Sequence, residues 1–108
     1  MIEAIALARS YVEGMDKATF LADRRTQQAV IMNILVIGEA ATKLADRYPG
    51  FTLTHPQIAW NSMRGMRNRL AHGYFDINMD VVWETLERDL PGLQKSLTEL
   101  SQQILRDN

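Results

Sequence analysis

The 108-residue chain contains no cysteine, which excludes disulfides and thiolate metal sites and leaves the redox state of its compartment open. It holds only two histidines, His55 and His72, so a metal site is disfavoured. No strand signal is present: no stretch alternates cleanly between apolar and polar residues, and β-branched residues do not cluster. No apolar run reaches transmembrane length, and Glu3 and Arg9 interrupt what would be a signal core in "MIEAIALARS". The expectation is a soluble, cytoplasmic protein. There is no Walker motif, no glycine-rich dinucleotide loop and no nucleophile elbow. Serines 10, 62, 96 and 101 read as ordinary helix residues, and the methionines and Trp60 read as core. Neither charge sign dominates, with a formal net charge of -1. A protein that coats nucleic acid through overall basicity is therefore disfavoured, although a local basic site is compatible with such a balance.

What is present is helical spacing. The length suits one domain, residues 1–108, with one core. Ile2, Ile5, Ala6, Arg9 and Val12 recur at helical intervals over 2–13, and Gly14 stops that helix. Asp16 suits the N-cap of a short turn, and Asp23 the cap of a helix over 23–47. In that helix Val30, Ile34, Ile37, Ala41 and Leu44 form one stripe, and Ile31, Leu35, Gly38, Thr42 and Ala45 form another. The apolar face is wider than one neighbour needs, so it either touches several helices of its own chain or partly meets a second copy.

"YPGFTLTHPQ" is the main break. Pro56 suits the first turn of a helix over 56–71, with Ile58, Ala59, Met63, Met66 and Leu70 inward and Gly73 as its stop. The last segment starts near Asn78 or Asp80 and carries Val82, Leu86, Leu93, Leu97, Leu100 and Ile104 in one stripe. Pro91-Gly92 predicts a kink, or a break with Asp89 capping the second half. The sum is all-α: an antiparallel bundle of four or five helices.

The chemistry concentrates in "MRNRLAHGYF", residues 66–75. Arg64, Arg67 and Arg69 fall within six residues, and no acid stands between Trp60 and Asp76. Arg67 and His72 are five apart, which on a continuous helix separates them by about 140°. They converge only if the backbone turns near His72, and a left-handed Gly73 would supply that turn. Such a group fits RNA cleavage by the ribose 2′-hydroxyl. Histidine moves protons near neutral pH, arginine offers a charged fork to phosphate, and Asn68 can orient either one. Two-histidine acid–base catalysis would require a second subunit, and a symmetric dimer would bring a second copy. Equally, arginine and histidine near a helix C-terminus are favoured by the helix dipole with no function at all.

Three ordered blocks, "IGEAATKL" (37–44), "IAWNSMRGMRNRLAHGYF" (58–75) and "VVWETLERDLPGL" (81–93), resemble the HepT-like toxins of the HEPN superfamily. The motif Arg-x4-His-x-Tyr is matched at Arg67, His72 and Tyr74. The resemblance implies a dimeric helical bundle with two such motifs around a shared cleft. It implies a metal-independent endoribonuclease, with no cofactor, that acts as the toxin of a type VII toxin–antitoxin pair. It assigns Arg67 and His72 to catalysis and Asn68 to the polar place after the arginine, and the basic cluster adds Arg64 and Arg69 beside Asn68 as support or phosphate ligands. The implied partner is an MNT-type minimal nucleotidyltransferase antitoxin that silences the toxin by adding AMP to Tyr74. Glu39, in the first block, either pairs with an arginine of the motif helix or faces solvent. The competing readings are a helical adaptor that binds nucleotide or partner without cutting, and a purely structural dimeric bundle.

Overall fold

The computed structural model describes residues 1–73 and 76–107. Helix α1 spans Ile2–Tyr11, α2 Lys17–Leu21, α3 Arg24–Arg47, α4 Pro49–Thr54, α5 Trp60–His72, α6 Met79–Glu84 and α7 Leu90–Asp107. A π-helical segment, Thr85–Asp89, joins α6 to α7. No strand occurs among the described residues. The molecule is an all-α bundle in which α3 is central, packed along both α1 and α5.

Local chemistry sets most boundaries. The Asp16 carboxylate accepts the Thr19 N–H at 2.8 Å and starts α2. Asp23 accepts both the backbone N–H (3.1 Å) and the hydroxyl (2.7 Å) of Thr26 and starts α3. Gln27 donates to the carbonyls of Phe20 and Leu21, which ties the end of α2 to the first turn of α3. Asn78 caps α6 by accepting the Asp80 N–H at 2.9 Å. Gly14 takes φ +79, a left-handed conformation that suits glycine at the end of α1.

The core is formed by buried faces of α1, α3, α5 and the C-terminal helices. Ala4, Ile5 and Ala8 face inward from α1, whereas Ala6 and Arg9, which fell on the expected stripe, are exposed. Phe20 is fully buried against Trp83, with ring centroids 5.3 Å apart, and so docks α2 on α6. On α3, Val30, Ile34, Ile37 and Ala41 are buried, and so are Ile31 and Gly38 of the second stripe. The wide face is thus used within the chain. Such a many-sided core helix is long and apolar enough to cross a membrane by length and composition alone. The expectation that no run reaches that length is corrected, and the cause is that α3 buries residues against several neighbours.

Three other expectations are revised. The 48–57 stretch is a short helix rather than an open break. Tyr48 and His55 each precede a proline and adopt non-helical backbone (φ -133, ψ 60 and φ -126, ψ 60), which bounds α4 at both ends. The Trp60 indole N–H donates to the His55 carbonyl at 3.0 Å, anchoring this turn. The next helix begins at Trp60 rather than Pro56. Ala59 (φ -80, ψ 66) is the centre of an inverse γ-turn in which the Trp60 N–H bonds the Ile58 carbonyl at 2.9 Å. Ile58 is buried, but Ala59 is exposed. Finally, Pro91 neither breaks the last helix nor leaves Asp89 as a cap. The π segment widens the turn just before the proline, and a register of five residues absorbs its ring and missing N–H without ending the helix.

Candidate active site

Helix α5 carries the candidate residues, and its inward face explains how they are held. Trp60, Met63 and Leu70 are buried. Arg67 falls in the same row, at steps of 3, 4 and 3, and its side chain is only 22% exposed. An arginine here occupies a position that packing alone would give to an apolar residue. A charge so placed is costly unless paired. Its partners come from α3. The Arg67 Nε lies 3.2 Å from Glu39 Oε1, and its Nη2 donates to the Thr42 hydroxyl at 3.3 Å. The Nε is buried, and its N–H is not aligned on any acceptor. The Glu39 contact is therefore a charge pair without hydrogen-bond geometry.

Gly38 makes this approach possible. A β-carbon there would overlap the Cβ of Arg67 and come within 2.9 Å of the Met63 carbonyl oxygen. The two helices touch backbone to backbone at this point, and the Arg67 side chain leaves the contact alongside α3. Arg64, one turn back, is bound to the same helix: its Nη2 contacts Asp46 at 2.7 Å and the Thr42 carbonyl at 3.3 Å. The stretch that lacks acids in sequence thus meets them in space, through Glu39 and Asp46.

Arg64, Asn68 and His72 stand at successive four-residue steps, each about 40° around the helix from the last. They form one shallow row along α5, with Asn68 and His72 exposed and Arg64 half-buried. Arg67 borders that row on the α3 side. Arg69 is on the other flank, exposed, where it lines a groove of about 560 Å³ together with Ile37, Met63, Met66, Arg88 and Leu93. The three arginines are therefore not one patch: Arg64 and Arg67 bond to α3 side chains, and Arg69 lines a separate groove.

The expected turn at Gly73 is corrected. Gly73 has φ -112 and ψ 35, and its N–H donates to the Arg69 carbonyl at 2.8 Å, so the helical bonding continues past His72. The glycine is needed for a different reason, since a β-carbon would stand 2.9 Å from that carbonyl oxygen. Because α5 stays helical through His72, Arg67 and His72 leave the axis about 140° apart rather than converging beyond its end. Tyr74 lies outside the described residues.

Two residues that sequence reasoning did not assign belong to this arrangement: Gly38 and Thr42. The available signal was an arginine standing in the buried row of one helix, which requires a close polar neighbour on another. Glu39, for which two readings were open, is paired with Arg67. Among the described residues, no group of three His, Asp or Glu side chains is placed to hold a metal ion.

The family model described as "Ribonuclease HepT-like" matches residues 1–100. A protein of Thermococcus cleftensis named "Probable ribonuclease HepT" is 36% identical over 91% of this chain and 86% of its own length. A Methanocaldococcus jannaschii protein named "Putative RNase" is 36% identical over 79% of this chain and 68% of its own. One of Caldanaerobacter subterraneus subsp. tengcongensis, likewise named "Putative RNase", is 32% identical over 84% and 79%. No solved structure matches the chain. With nearly its whole length matched by the family model and by these relatives, the chain belongs to the ribonuclease HepT-like family.

Proposed function

We propose that this protein is a metal-independent endoribonuclease, the toxin of a toxin–antitoxin pair, that cuts RNA with Arg67 and His72. The observation that carries the reading is the placement of Arg67: a permanent cation in a core-facing position, held at the border of an exposed row that contains Asn68 and His72.

The chemistry follows from the side chains. One imidazole takes the proton of the ribose 2′-hydroxyl, and the 2′-oxygen attacks the adjacent phosphorus. The bond from phosphorus to the 5′-oxygen breaks, and a second imidazole, protonated, gives its proton to that oxygen. The products are a 2′,3′-cyclic phosphate and a 5′-hydroxyl. Arg67 stabilises charge on the phosphoryl oxygens, where a planar guanidinium offers two parallel N–H groups. Asn68, on the same row as His72, orients the phosphate or the imidazole, and Arg64 adds positive charge alongside.

A single chain has one histidine on this row, and its Arg67 and His72 diverge around α5. The reading therefore includes a homodimer that gathers two motifs about one cleft. It also includes a cytoplasmic location and an MNT-type nucleotidyltransferase antitoxin that transfers AMP to Tyr74. An adduct two residues from His72 brings phosphate charge and a bulky base to the place where RNA must bind.

The test is incubation of the purified protein with total RNA in EDTA beside a His72→Ala control. Cleavage by the parent and none by the variant supports the reading. Equal cleavage by both removes His72 from the chemistry, and no cleavage by either favours the adaptor role.

A further inference from the structure

The polar contacts between α3 and α5 pose a question that the catalytic reading leaves open. Arg67 is flexible by nature, with several rotatable bonds, yet a phosphate-binding group is effective only when it is already aimed. Here the backbone approach at Gly38 brings the α3 side chains Glu39 and Thr42 against one edge of the guanidinium, the edge formed by Nε and Nη2. A guanidinium is planar and rigid, so fixing one edge fixes the direction of the other.

We propose that Glu39 and Thr42 are positioning residues that hold Arg67 by its Nε and Nη2 edge, so that the Nη1 side is presented to the RNA phosphate. The proposal rests on the nuclease reading above. Glu39 does not touch the reacting atoms; it acts through Arg67. Its carboxylate is 52% exposed, so the ion pair adds little to stability, and its main effect is on orientation. The Nε–H is buried and not yet aligned on its acceptor. Contacts of this kind in an unliganded site are often loose and tighten in the substrate complex. A phosphate drawing on the outer edge would rotate the guanidinium against Glu39, improving that alignment as the substrate binds. The arrangement carries an opposing effect, because a carboxylate beside the arginine lowers the positive field at the phosphate. Fixed aim is gained and some attraction for RNA is lost.

These two effects separate in a pair of variants. Glu39→Ala removes the hold and the charge. Glu39→Gln keeps an oxygen facing Nε, available to accept from it in the substrate complex, and removes only the charge. For Glu39→Ala the expected result is a kcat lowered on the order of 10–100-fold, with the protein still folded at the assay temperature. Glu39→Gln should restore most of the rate, with a KM for RNA at or below that of the parent. A second readout does not depend on cleavage. With an uncleavable 2′-O-methyl RNA bound to the parent or to Glu39→Gln, the Arg67 Nε–H resonance should exchange slowly with water, and with the same strand bound to Glu39→Ala it should exchange fast. If Glu39→Ala cuts RNA at the parental kcat, or leaves Nε–H exchange unchanged, the positioning role is overturned. If both variants cut faster than the parent, Glu39 is a brake rather than a guide, which also overturns it. Failure of the underlying nuclease reading looks different: cleavage would then persist in Arg67→Ala.

Discussion

Gly38 and Arg67 are in contact so close that a β-carbon on the glycine would overlap the β-carbon of the arginine. The same added atom would meet the Met63 carbonyl oxygen at 2.9 Å, and a backbone atom cannot swing aside. Gly38→Ala is therefore expected to force α3 and α5 apart, at a cost of about 1–3 kcal/mol. Denaturant midpoints measure that loss. RNA cleavage should fall along with it, because the step that separates the helices also moves Arg67 from Glu39 and Thr42. Unchanged stability would contradict the close approach.

Arg67→Met separates the structural from the chemical part of this residue. Methionine fills the core-facing position with an apolar chain, and exchanging a partly buried charge for a hydrophobic group is often neutral or stabilising. The expected outcome is a melting temperature equal to or above that of the parent, with RNA cleavage lost. A strongly destabilised Arg67→Met protein would mean that the arginine is retained for the fold.

Acid stability should depend on the helix caps. The Thr26 backbone N–H, followed by the Thr26 hydroxyl, holds the Asp23 carboxyl below its ordinary value. The hydroxyl and backbone N–H of Thr19 do the same for Asp16. A carboxyl whose folded pKa is lowered stabilises the fold fully above its unfolded value, and that contribution disappears as the pH falls through the folded one. Both caps thus contribute at neutral pH and fail together in acid, below about pH 4. Asp23→Asn retains an acceptor oxygen but does not titrate. Thermal melts of this variant should show a shallower loss of stability on the acid side than the parent, and identical slopes would contradict the assignment.

The proposed dimer can be tested at the solvent face of α3. The first apolar stripe of α3 is buried inside the chain except for half-buried Leu44, the second is buried at Ile31 and Gly38 only, and Met32 (61% exposed) and Val36 (45%) stand outside both on the solvent face. Light scattering at micromolar concentration should report twice the mass of one chain, and Met32→Glu combined with Val36→Glu should lower it. A parental monomer at that concentration would count against a shared cleft.

Although the start of the last segment lay open between Asn78 and Asp80, where the structure shows Asn78 as its cap, the caps at Asp16 and Asp23 were legible in the sequence because their side chains act on residues three positions away. The same holds for the all-α class, which follows from spacing alone. Features decided by backbone hydrogen bonding between distant or competing partners were not legible. The γ-turn at Ala59 delays α5 to Trp60, and Gly73 ends the helix through its bond to Arg69 without the left-handed turn that was expected. Pro91 predicts a disruption, but only the structure shows it taken up by a π turn. At the site, the motif residues were readable as a group, whereas their separation into an α3-facing pair, an exposed row and a lone Arg69 depends on which face of α5 is buried.

Regulation has its own test in Tyr74→Phe, which keeps the ring and removes the acceptor oxygen. With the nucleotidyltransferase and ATP, intact-mass measurement should show AMP increments on the parent and none on the variant. The variant should still cut RNA and should resist silencing. Increments on Tyr74→Phe would move the acceptor to another residue.

The central claim is that Arg67 and His72 cut RNA through its own 2′-hydroxyl with no metal. The most direct measurement compares one oligonucleotide as RNA and as its 2′-O-methyl counterpart, both in EDTA, with end-group analysis of the products. The expected result is cleavage of the RNA to 2′,3′-cyclic phosphate and 5′-hydroxyl ends, and no cleavage of the methylated strand. Loss of a general acid or base should slow His72→Ala by about 10²–10⁴-fold, and Arg67→Ala should be comparably impaired. Cleavage of the methylated strand, or parental rates in both variants, would contradict the account.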